Sequence, residues 1–204
     1  MDNLTEKIKA RHNRLASFYD PLMGAMDMMI RKSDQEKLFS LARGKVLEVG
    51  VGTGRNFPFY PVGIEGVTAI DYSPRMLEKA RSKLHQSRVS VTLLEMDAQN
   101  MAFADQSFDT VVTACVFCSV PDPIKGLHEI RRVLKPDGRL VMLEHVRSEN
   151  EALGKVMDFV NPVFLNIFGS NINRRTVENV QAAGFAIEKV EKFNDIMRFI
   201  IARP

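Results

Sequence analysis

A glycine-rich segment near residue 50 is the part of this sequence most suited to chemistry. Gly50, Gly52 and Gly54 alternate with other residues directly after the apolar run 45–49, which is typical of a buried strand. Glycines let the main chain turn tightly and bring its N–H groups against a ligand at a helix start. Asp71 follows Gly50 by 21 residues, where a carboxylate can accept hydrogen bonds from both hydroxyls of a ribose. The spacing predicts a nucleoside site.

Two nucleoside cofactors fit this geometry. A dinucleotide site would normally continue as G-x-G-x-x-G, but position 55 is Arg. The loop follows Glu48, whose carboxylate would attract the ammonium group of an amino-acid cofactor and repel a pyrophosphate. The segment therefore favours S-adenosylmethionine over a nicotinamide dinucleotide.

His145 is the leading candidate for a general base. It follows the fifth predicted strand, and the carboxyl ends of parallel strands face the ligand site. An amine acceptor would have to lose a proton before attack, whereas a thiol would mainly need a lowered pKa. A purely structural role in a loop or in the cofactor pocket stays open for His145. His12, His85 and His128 lie in helical patterns, so we predict them at the surface.

Cys115 and Cys118 have C-x-x-C spacing. A zinc site would need two further ligands, which are missing, and a redox pair would normally open a helix after the first strand of its fold. This pair instead follows the fourth predicted strand. We therefore predict no metal site and interpret Cys115 as a small residue beside the cofactor.

Apolar β-branched runs alternate with helical patterns through the middle of the chain, which predicts a parallel sheet covered by helices. The predicted strands are 45–49, 66–70, 89–94, 108–113 and 139–143, the last one after a turn at 135–138. Helices are predicted to start at Ser73, at Pro123 and near Arg174. The β-like runs 186–190 and 196–202 are predicted to form an antiparallel hairpin that closes the sheet.

The composition is that of one ordinary domain. The 204 residues are 45% hydrophobic and 26% charged, and the net charge of +3 is too small for a dedicated nucleic-acid binder. No signal-peptide pattern opens the chain, and the longest charge-free apolar segment, 159–173, is shorter than the roughly 20 residues of a spanning helix. We expect a cytoplasmic protein with reduced cysteines.

Taken together, the motifs resemble the class I S-adenosylmethionine-dependent methyltransferases from about residue 43 to the end. The resemblance rests on the glycine loop, Asp71, Met96-Asp97-Ala98 and the segments 108–112 and 134–138. It implies a Rossmann-like α/β fold: a seven-stranded, mostly parallel sheet with an antiparallel last strand and helices on both faces. It also implies that Asp97 meets the adenine amino group and that the main chain at Ala98 meets the ring.

Narrower likenesses concern shorter segments. Residues 14–20 are similar to the N-terminal segment of quinone and phospholipid methyltransferases, which implies that Tyr19 lies over the cofactor or faces the acceptor. Three segments, 53–61, 118–120 and 143–145, are similar to the methyltransferase-like 7 group of alkyl thiol methyltransferases and its bacterial relatives, many of them assigned to phosphatidylethanolamine N-methylation. The full predicted cofactor set is Tyr19, Glu48, Gly50, Gly52, Gly54, Asn56, Asp71, Tyr72, Met76, Asp97, Ala98 and Cys115, and the catalytic candidates are His145 and Tyr19.

Two regions flank the predicted motif core. Residues 1–42 are predicted as an N-terminal helical arm, 43–204 as the methyltransferase domain, and about 151–172 as an apolar helical insertion in it. The Met-rich segment 23–30 and the insertion would line an apolar acceptor pocket or belong to the ordinary core. The basic helix within residues 1–30 would rest on an anionic membrane or face solvent.

These features predict an enzyme that methylates a small amphipathic or lipophilic acceptor. A lipid amine or another hydrophobic small molecule is the first candidate, an alkyl thiol the second and a quinone carbon the third. The competing class is a protein that binds the cofactor without catalysis and serves a partner. The motifs specify the packing of the cofactor more than the acceptor, so they do not separate N, S and C acceptors.

Overall fold

The computed structural model describes residues 3–16 and 31–204, so Tyr19 and the segment 23–30 lie outside the described residues. The α-helices in this part of the chain are α1 (Asn3–Leu15), α2 (Lys32–Ser40), α3 (Pro74–Ser82), α4 (Pro123–Val133), α5 (Glu151–Phe168) and α6 (Thr176–Ala182). The strands are β1 (Lys45–Val49), β2 (Gly66–Asp71), β3 (Val91–Glu95), β4 (Phe108–Ala114), β5 (Leu134–His145), β6 (Ala186–Asn194) and β7 (Met197–Arg203).

The seven strands form one sheet in the order β3-β2-β1-β4-β5-β7-β6. Neighbouring strands from β3 to β5 run parallel, and β7 runs antiparallel to both β5 and β6. The chain moves from β1 outward to β3 and returns to β4 on the other side of β1. Open α/β sheets bind ligands where the strand order reverses in this way. The predicted fold class is confirmed.

Two apolar clusters cover the two faces of the sheet. Side chains alternate in direction along a strand, so Leu47 lies in one cluster and Val46 in the other. Helix α4 packs on the first face through Leu127, and α2 and α3 pack on the second through Phe39 and Leu77. Helix α2 falls within the predicted arm 1–42, and the burial of Phe39 joins that part of the arm to the core.

Side-chain caps begin two of the described helices. Ser73 Oγ accepts a hydrogen bond from Met76 N at 3.2 Å, which starts α3 where the sequence predicts it. Asn150 Oδ1 accepts hydrogen bonds from the N–H groups of Ala152 and Leu153 at the start of α5. Gly169, with a φ of +75°, ends α5.

The start of strand β5 differs from the prediction, whereas the predicted hairpin is confirmed. Strand β5 begins at Leu134, so the predicted turn 135–138 lies within it. These four residues form an irregularity in β5, because Phe108 pairs with Leu134 but Thr110, only two residues later, pairs with Arg139, where the predicted strand begins. Helix α6 begins at Thr176, close to the predicted start near Arg174. The hairpin joins β6 to β7 as expected.

Candidate active site

A cleft of about 760 Å³, including solvent at its mouth, lies at the carboxyl ends of β1, β2 and β4 and beneath α1. It brings together eight of the predicted cofactor residues: Gly50, Gly52, Asp71, Tyr72, Met76, Asp97, Ala98 and Cys115. Glu48, Gly54 and Asn56 are predicted site residues outside its lining.

Gly52 is the position where the glycine loop is open to a ligand. Its φ is +55°, and a Cβ built there would meet no atom within 4 Å, so the main chain is bare on the side of the cleft. A different constraint favours glycine at position 54, because a Cβ there would lie 2.5 Å from the Phe57 ring. Packing against Phe57 and a φ of +78° therefore explain Gly54, whereas Gly52 combines a left-handed φ with open space beside its main chain.

Asp71 ends β2 and its carboxylate is tied to the main chain around the cleft. Gly52 N donates to Oδ2 and Ser73 N to Oδ1, both at 2.8 Å. Burial raises the pKa of Asp71 to about 6, and the hydrogen bonds from these N–H groups oppose that rise. The main-chain N–H of Tyr72 also hydrogen-bonds to this carboxylate. A carboxylate has about four acceptor positions, so Asp71 keeps some acceptor capacity for a ribose.

Glu48 has partners other than those the sequence suggested. Its carboxylate is buried, and it accepts hydrogen bonds from Asn56 Nδ2 at 2.6 Å and from the Tyr60 hydroxyl. Burial raises the pKa of Glu48 to about 7. Gln35 of α2 donates in turn to Asn56 Oδ1 at 3.0 Å. Glu48 and Asn56 therefore brace the segment behind the glycine loop, and their direct contact with a cofactor stays a prediction.

Asp97 and Ala98 line the end of the cleft beyond β3, where the resemblance implies an adenine ring. Asp97 Oδ1 accepts a hydrogen bond from Gln99 N at 2.9 Å, and the Gln99 side chain also donates to both oxygens. Met76 lies in the same lining and is 2% exposed, so it offers an apolar surface to a flat ring. The adenine contact of Asp97 stays a prediction.

Helix α1 covers the cleft through Ile8 and His12, which sequence reasoning missed. His12 was predicted at the surface; the structure corrects this, because its ring lines the cleft and burial lowers its pKa. His85 and His128 are exposed as predicted. The spacing of four residues between Ile8 and His12 places both on one helix face, a signal that could have identified the pair.

Tyr72 joins this helix to the cleft. Its hydroxyl donates to Glu6 Oε1 at 2.7 Å, and Lys9 Nζ lies 4.5 Å from the centre of its ring. Both partners belong to α1, and Tyr72 itself lines the cleft. The cation–π contact and the hydrogen bond hold α1 over the cleft.

Cys115 lines the cleft, whereas the His145 side chain does not. Burial raises the pKa of the Cys115 thiol, so the thiol stays protonated, and the main chain of His145 hydrogen-bonds to it. The Cys118 thiol donates to the Cys115 carbonyl oxygen at 3.3 Å. Within the described residues, Nδ1 of His145 is buried without a hydrogen-bond partner, and burial lowers the pKa of the ring. The imidazole is thus neutral, as a base must be.

Glu144 and Tyr60 are two further residues of the site region that sequence reasoning missed. Glu144 is completely buried, and burial raises its pKa to about 7. Its carboxylate accepts hydrogen bonds from Thr113 at the end of β4 and from the N–H groups of Val116 and Phe117 after it. A signal was present for it: a carboxylate within an apolar strand pattern needs a buried partner, as Glu48 also does.

Comparison with known proteins shows similarity to methyltransferases. A methyltransferase domain family matches residues 47–142. The phosphatidylethanolamine N-methyltransferase of Cereibacter sphaeroides is 38% identical over 55% of this chain and 56% of its own length. The thiol S-methyltransferase TMT1B of Homo sapiens is 34% identical over 85% of this chain and 76% of its own length. The chain thus spans little more than half of the first relative and about three quarters of the second.

The fold also matches solved structures. The complex of DhpI with S-adenosylhomocysteine has a TM-score of 0.72 at 21% identity, covering 100% of this chain and 98% of that one. At this identity the similarity shows the fold.

Among the described helices, none combines the length and apolar character needed to cross a bilayer.

Proposed function

Because the chain belongs to the class I S-adenosylmethionine-dependent methyltransferases, we propose that it methylates a small amphipathic or lipophilic acceptor. S-adenosylmethionine supplies the methyl group as part of a sulfonium. Asp71 would accept the ribose hydroxyls, Asp97 the adenine amino group, and the bare main chain at Gly52 the amino-acid part. The fit rests on the open side of Gly52 beside the partly free acceptor positions of Asp71.

The observation that supports a lipophilic acceptor is an exposed apolar face on α5. We define the α5 face by its six exposed apolar residues: Leu153, Val156, Phe159, Val163, Phe164 and Ile167. They cover one side of the helix, and Phe159 is 84% exposed. Apolar residues grouped in this way on a surface mark sites for apolar ligands, partners or membranes.

Helix α5 is connected to the cleft by hydrogen bonds from the side opposite to the α5 face. Asn161 of α5 donates to Asn171 Oδ1 at 3.1 Å, and Asn171 N donates to the carbonyl oxygen of Cys118 at 2.7 Å. Ser119 and Ser170 hydroxyls lie 2.8 Å apart in the same connection, and Ser119 lines the cleft. Hydrogen bonds therefore attach the helix that carries the α5 face to the cleft wall.

Within this class we rank a lipid amine or another hydrophobic small molecule first, an alkyl thiol second and a quinone carbon third. The names of the relatives support the first two, since one methylates a phospholipid amine and the other a thiol. For an amine, a neutral His145 would serve as the base through water, because its side chain does not line the cleft. A peripheral contact with the inner face of a membrane, through residues 1–30 and the α5 face, is part of the proposal.

An assay with a labelled methyl donor tests the acceptor class. The full chain is offered phosphatidylethanolamine, an alkyl thiol, a quinone precursor and a hydrophilic amine of matched basicity. Transfer to the phospholipid or to another lipophilic amine would support the first candidate, and transfer to the thiol alone would support the second. Preference for the hydrophilic amine would contradict the lipophilic class. Binding of S-adenosylhomocysteine without transfer to any acceptor would indicate a non-catalytic cofactor-binding protein.

A further inference from the structure

Glu144 is an acidic residue in a completely buried position. It is the last residue but one of β5, and its exposed fraction is 0%. Acidic side chains are seldom fully buried without partners. Thr113 Oγ1 donates to the carboxylate at 2.6 Å, Val116 N at 3.0 Å and Phe117 N at 3.1 Å. The carboxylate thus collects a hydroxyl and two successive main-chain N–H groups from the end of β4 and the turn after it.

The turn that supplies these N–H groups has an unusual main chain. Cys115 has a φ of +56°, a left-handed conformation that residues with a side chain rarely adopt. After this residue, the N–H groups of Val116 and Phe117 point to one side, toward the carboxylate. Successive N–H groups arranged in this way form a concavity that binds an anion. Here the anion is Glu144, supplied by the protein itself.

The same turn forms one wall of the cleft. Cys115 and Val116 both line it. The Val116 side chain packs against the glycine loop so closely that a Cβ on Gly50 would lie 2.5 Å from it. The turn therefore lies between Glu144 and the loop, and a shift of Val116 would reach Gly50 directly.

We propose that Glu144 is a positioning residue, whose carboxylate holds the 115–117 turn in the conformation that completes the cofactor cleft. It acts through the turn and does not touch the cofactor. An ionised carboxylate is an acceptor at every position, which suits the three donors around it. A glutamine in its place would offer one amide oxygen to the N–H groups of Val116 and Phe117, and its NH2 group would face Thr113 Oγ1, which would have to turn from donor to acceptor. The two charge-assisted hydrogen bonds to the turn would become weaker, neutral ones.

Glu144→Gln tests this proposal, with Glu149→Gln as the matched control. Glu149 undergoes the same chemical change nearby in the chain, but its carboxylate is exposed and pairs with Arg198 and Lys192, outside the cleft. Calorimetry should show S-adenosylhomocysteine binding to Glu144→Gln at least fivefold more weakly than to the wild type, and unchanged binding to Glu149→Gln. Wild-type affinity in a folded Glu144→Gln protein would overturn the proposal.

A rescue experiment separates positioning from general support of the core. Glycine adopts the left-handed conformation without strain. We therefore expect Glu144→Gln to lower the affinity less in a protein that already carries Cys115→Gly than it does in the wild type. The same affinity loss with either residue at position 115 would contradict the proposed route. If Glu144→Gln does not fold, Thr113→Val decides, because it removes one donor to Glu144 at nearly constant volume. It should weaken binding about twofold, and no change would overturn the proposal.

This proposal rests on cofactor binding alone. It can therefore fail while the proposed acceptor class stands, and the acceptor assay can fail while Glu144 keeps its role. The two results are separable because S-adenosylhomocysteine affinity is measured without any acceptor.

Discussion

The cofactor end of the cleft and the α5 face are built in opposite ways. At the cofactor end, the carboxylates of Asp71 and Asp97 accept hydrogen bonds from N–H groups close to them in the sequence. On the α5 face, Phe159 and its apolar neighbours are exposed. The difference is that polar groups at the cofactor end find partners within the fold, whereas the α5 face leaves apolar surface uncovered.

The largest expected effect is at Gly52. Replacement by Val would force a side chain into a φ of +55° and fill the open side of the loop, so we expect S-adenosylhomocysteine affinity to fall by about 100-fold or more, with a stability loss of about 1–2 kcal/mol. Gly63→Val is the control, because a Cβ there also meets nothing and lies outside the cleft. Calorimetry on both variants decides. Near-normal binding to Gly52→Val would mean that the ligand does not approach this loop.

Replacement of Asp71 should have the next largest effect on cofactor affinity, and the protonation of Asp71 should make that affinity depend on pH. Asp71→Asn should lower S-adenosylhomocysteine affinity by about tenfold or more, since a hydrogen bond to a charged acceptor contributes about 1.5–3 kcal/mol. With a pKa raised to about 6, the carboxyl takes up a proton as the pH falls through that value and loses acceptor capacity. Wild-type affinity should therefore fall from pH 7 to pH 5.

The variant itself supplies the control for this pH dependence. Glu48 and Glu144 also have pKa values near 7, so some pH dependence would persist without Asp71. The part of the decline centred near pH 6 should disappear in Asp71→Asn. An identical profile in both proteins would assign the titration to another group.

The two partly buried histidines should separate binding from catalysis. His12→Asn changes the cleft lining and should weaken S-adenosylhomocysteine binding by roughly threefold to tenfold. His145→Asn should leave this affinity unchanged but lower kcat with an amine acceptor by about 100-fold if the residue is the base. His128→Asn is the exposed control. Full activity of His145→Asn would leave the ring with a structural role only.

The fold and the cofactor end could be predicted from the sequence because their determinants are local. The positions of Gly52 and Asp71 after two predicted strands identify both residues, and a capping residue followed by proline predicts the helix start at Ser73. The hydrogen-bond partners of Glu48 could not be predicted from the sequence. Asn56 and Tyr60 converge on it only because a short segment folds back beneath β1, and a sequence pattern does not give that path.

Long-range contacts explain the remaining errors. The early start of β5 depends on Leu134 pairing with Phe108 across a register irregularity. The burial of His12 depends on α1 lying over the cleft, where Tyr72 and Glu6 join the helix to the sheet. Hydrophobic periodicity predicts that α1 has an apolar face, but it does not predict the surface that this face covers.

A smaller and selective effect is expected from the α5 face. Phe159→Ser together with Val163→Ser should raise KM for a lipophilic acceptor by roughly fivefold to tenfold, because two apolar contacts are lost. S-adenosylhomocysteine affinity should not change, since neither residue lines the cleft. Stability should change by about 0.5 kcal/mol or less at these exposed positions.

The control for the α5 face is Val62→Ser, an exposed valine outside α5. Co-sedimentation with vesicles that contain anionic phospholipid gives a second measurement. The double variant should bind these vesicles less than the wild type and the control do. Equal binding by all three proteins would remove the α5 face from the membrane proposal.

The smallest effect is expected where the two regions meet. Asn161 links α5 to the cleft wall through Asn171 Oδ1 and the N–H of Ile172. Asn161→Ala should cost about 1–2 kcal/mol of stability through the lost hydrogen bonds and change S-adenosylhomocysteine affinity by no more than about twofold, because the cofactor end has its own local partners. Asn166→Ala, at an exposed position of the same helix, is the control. A tenfold loss of affinity in Asn161→Ala would show that the cofactor end depends on α5, and the contrast between the two regions would then fail.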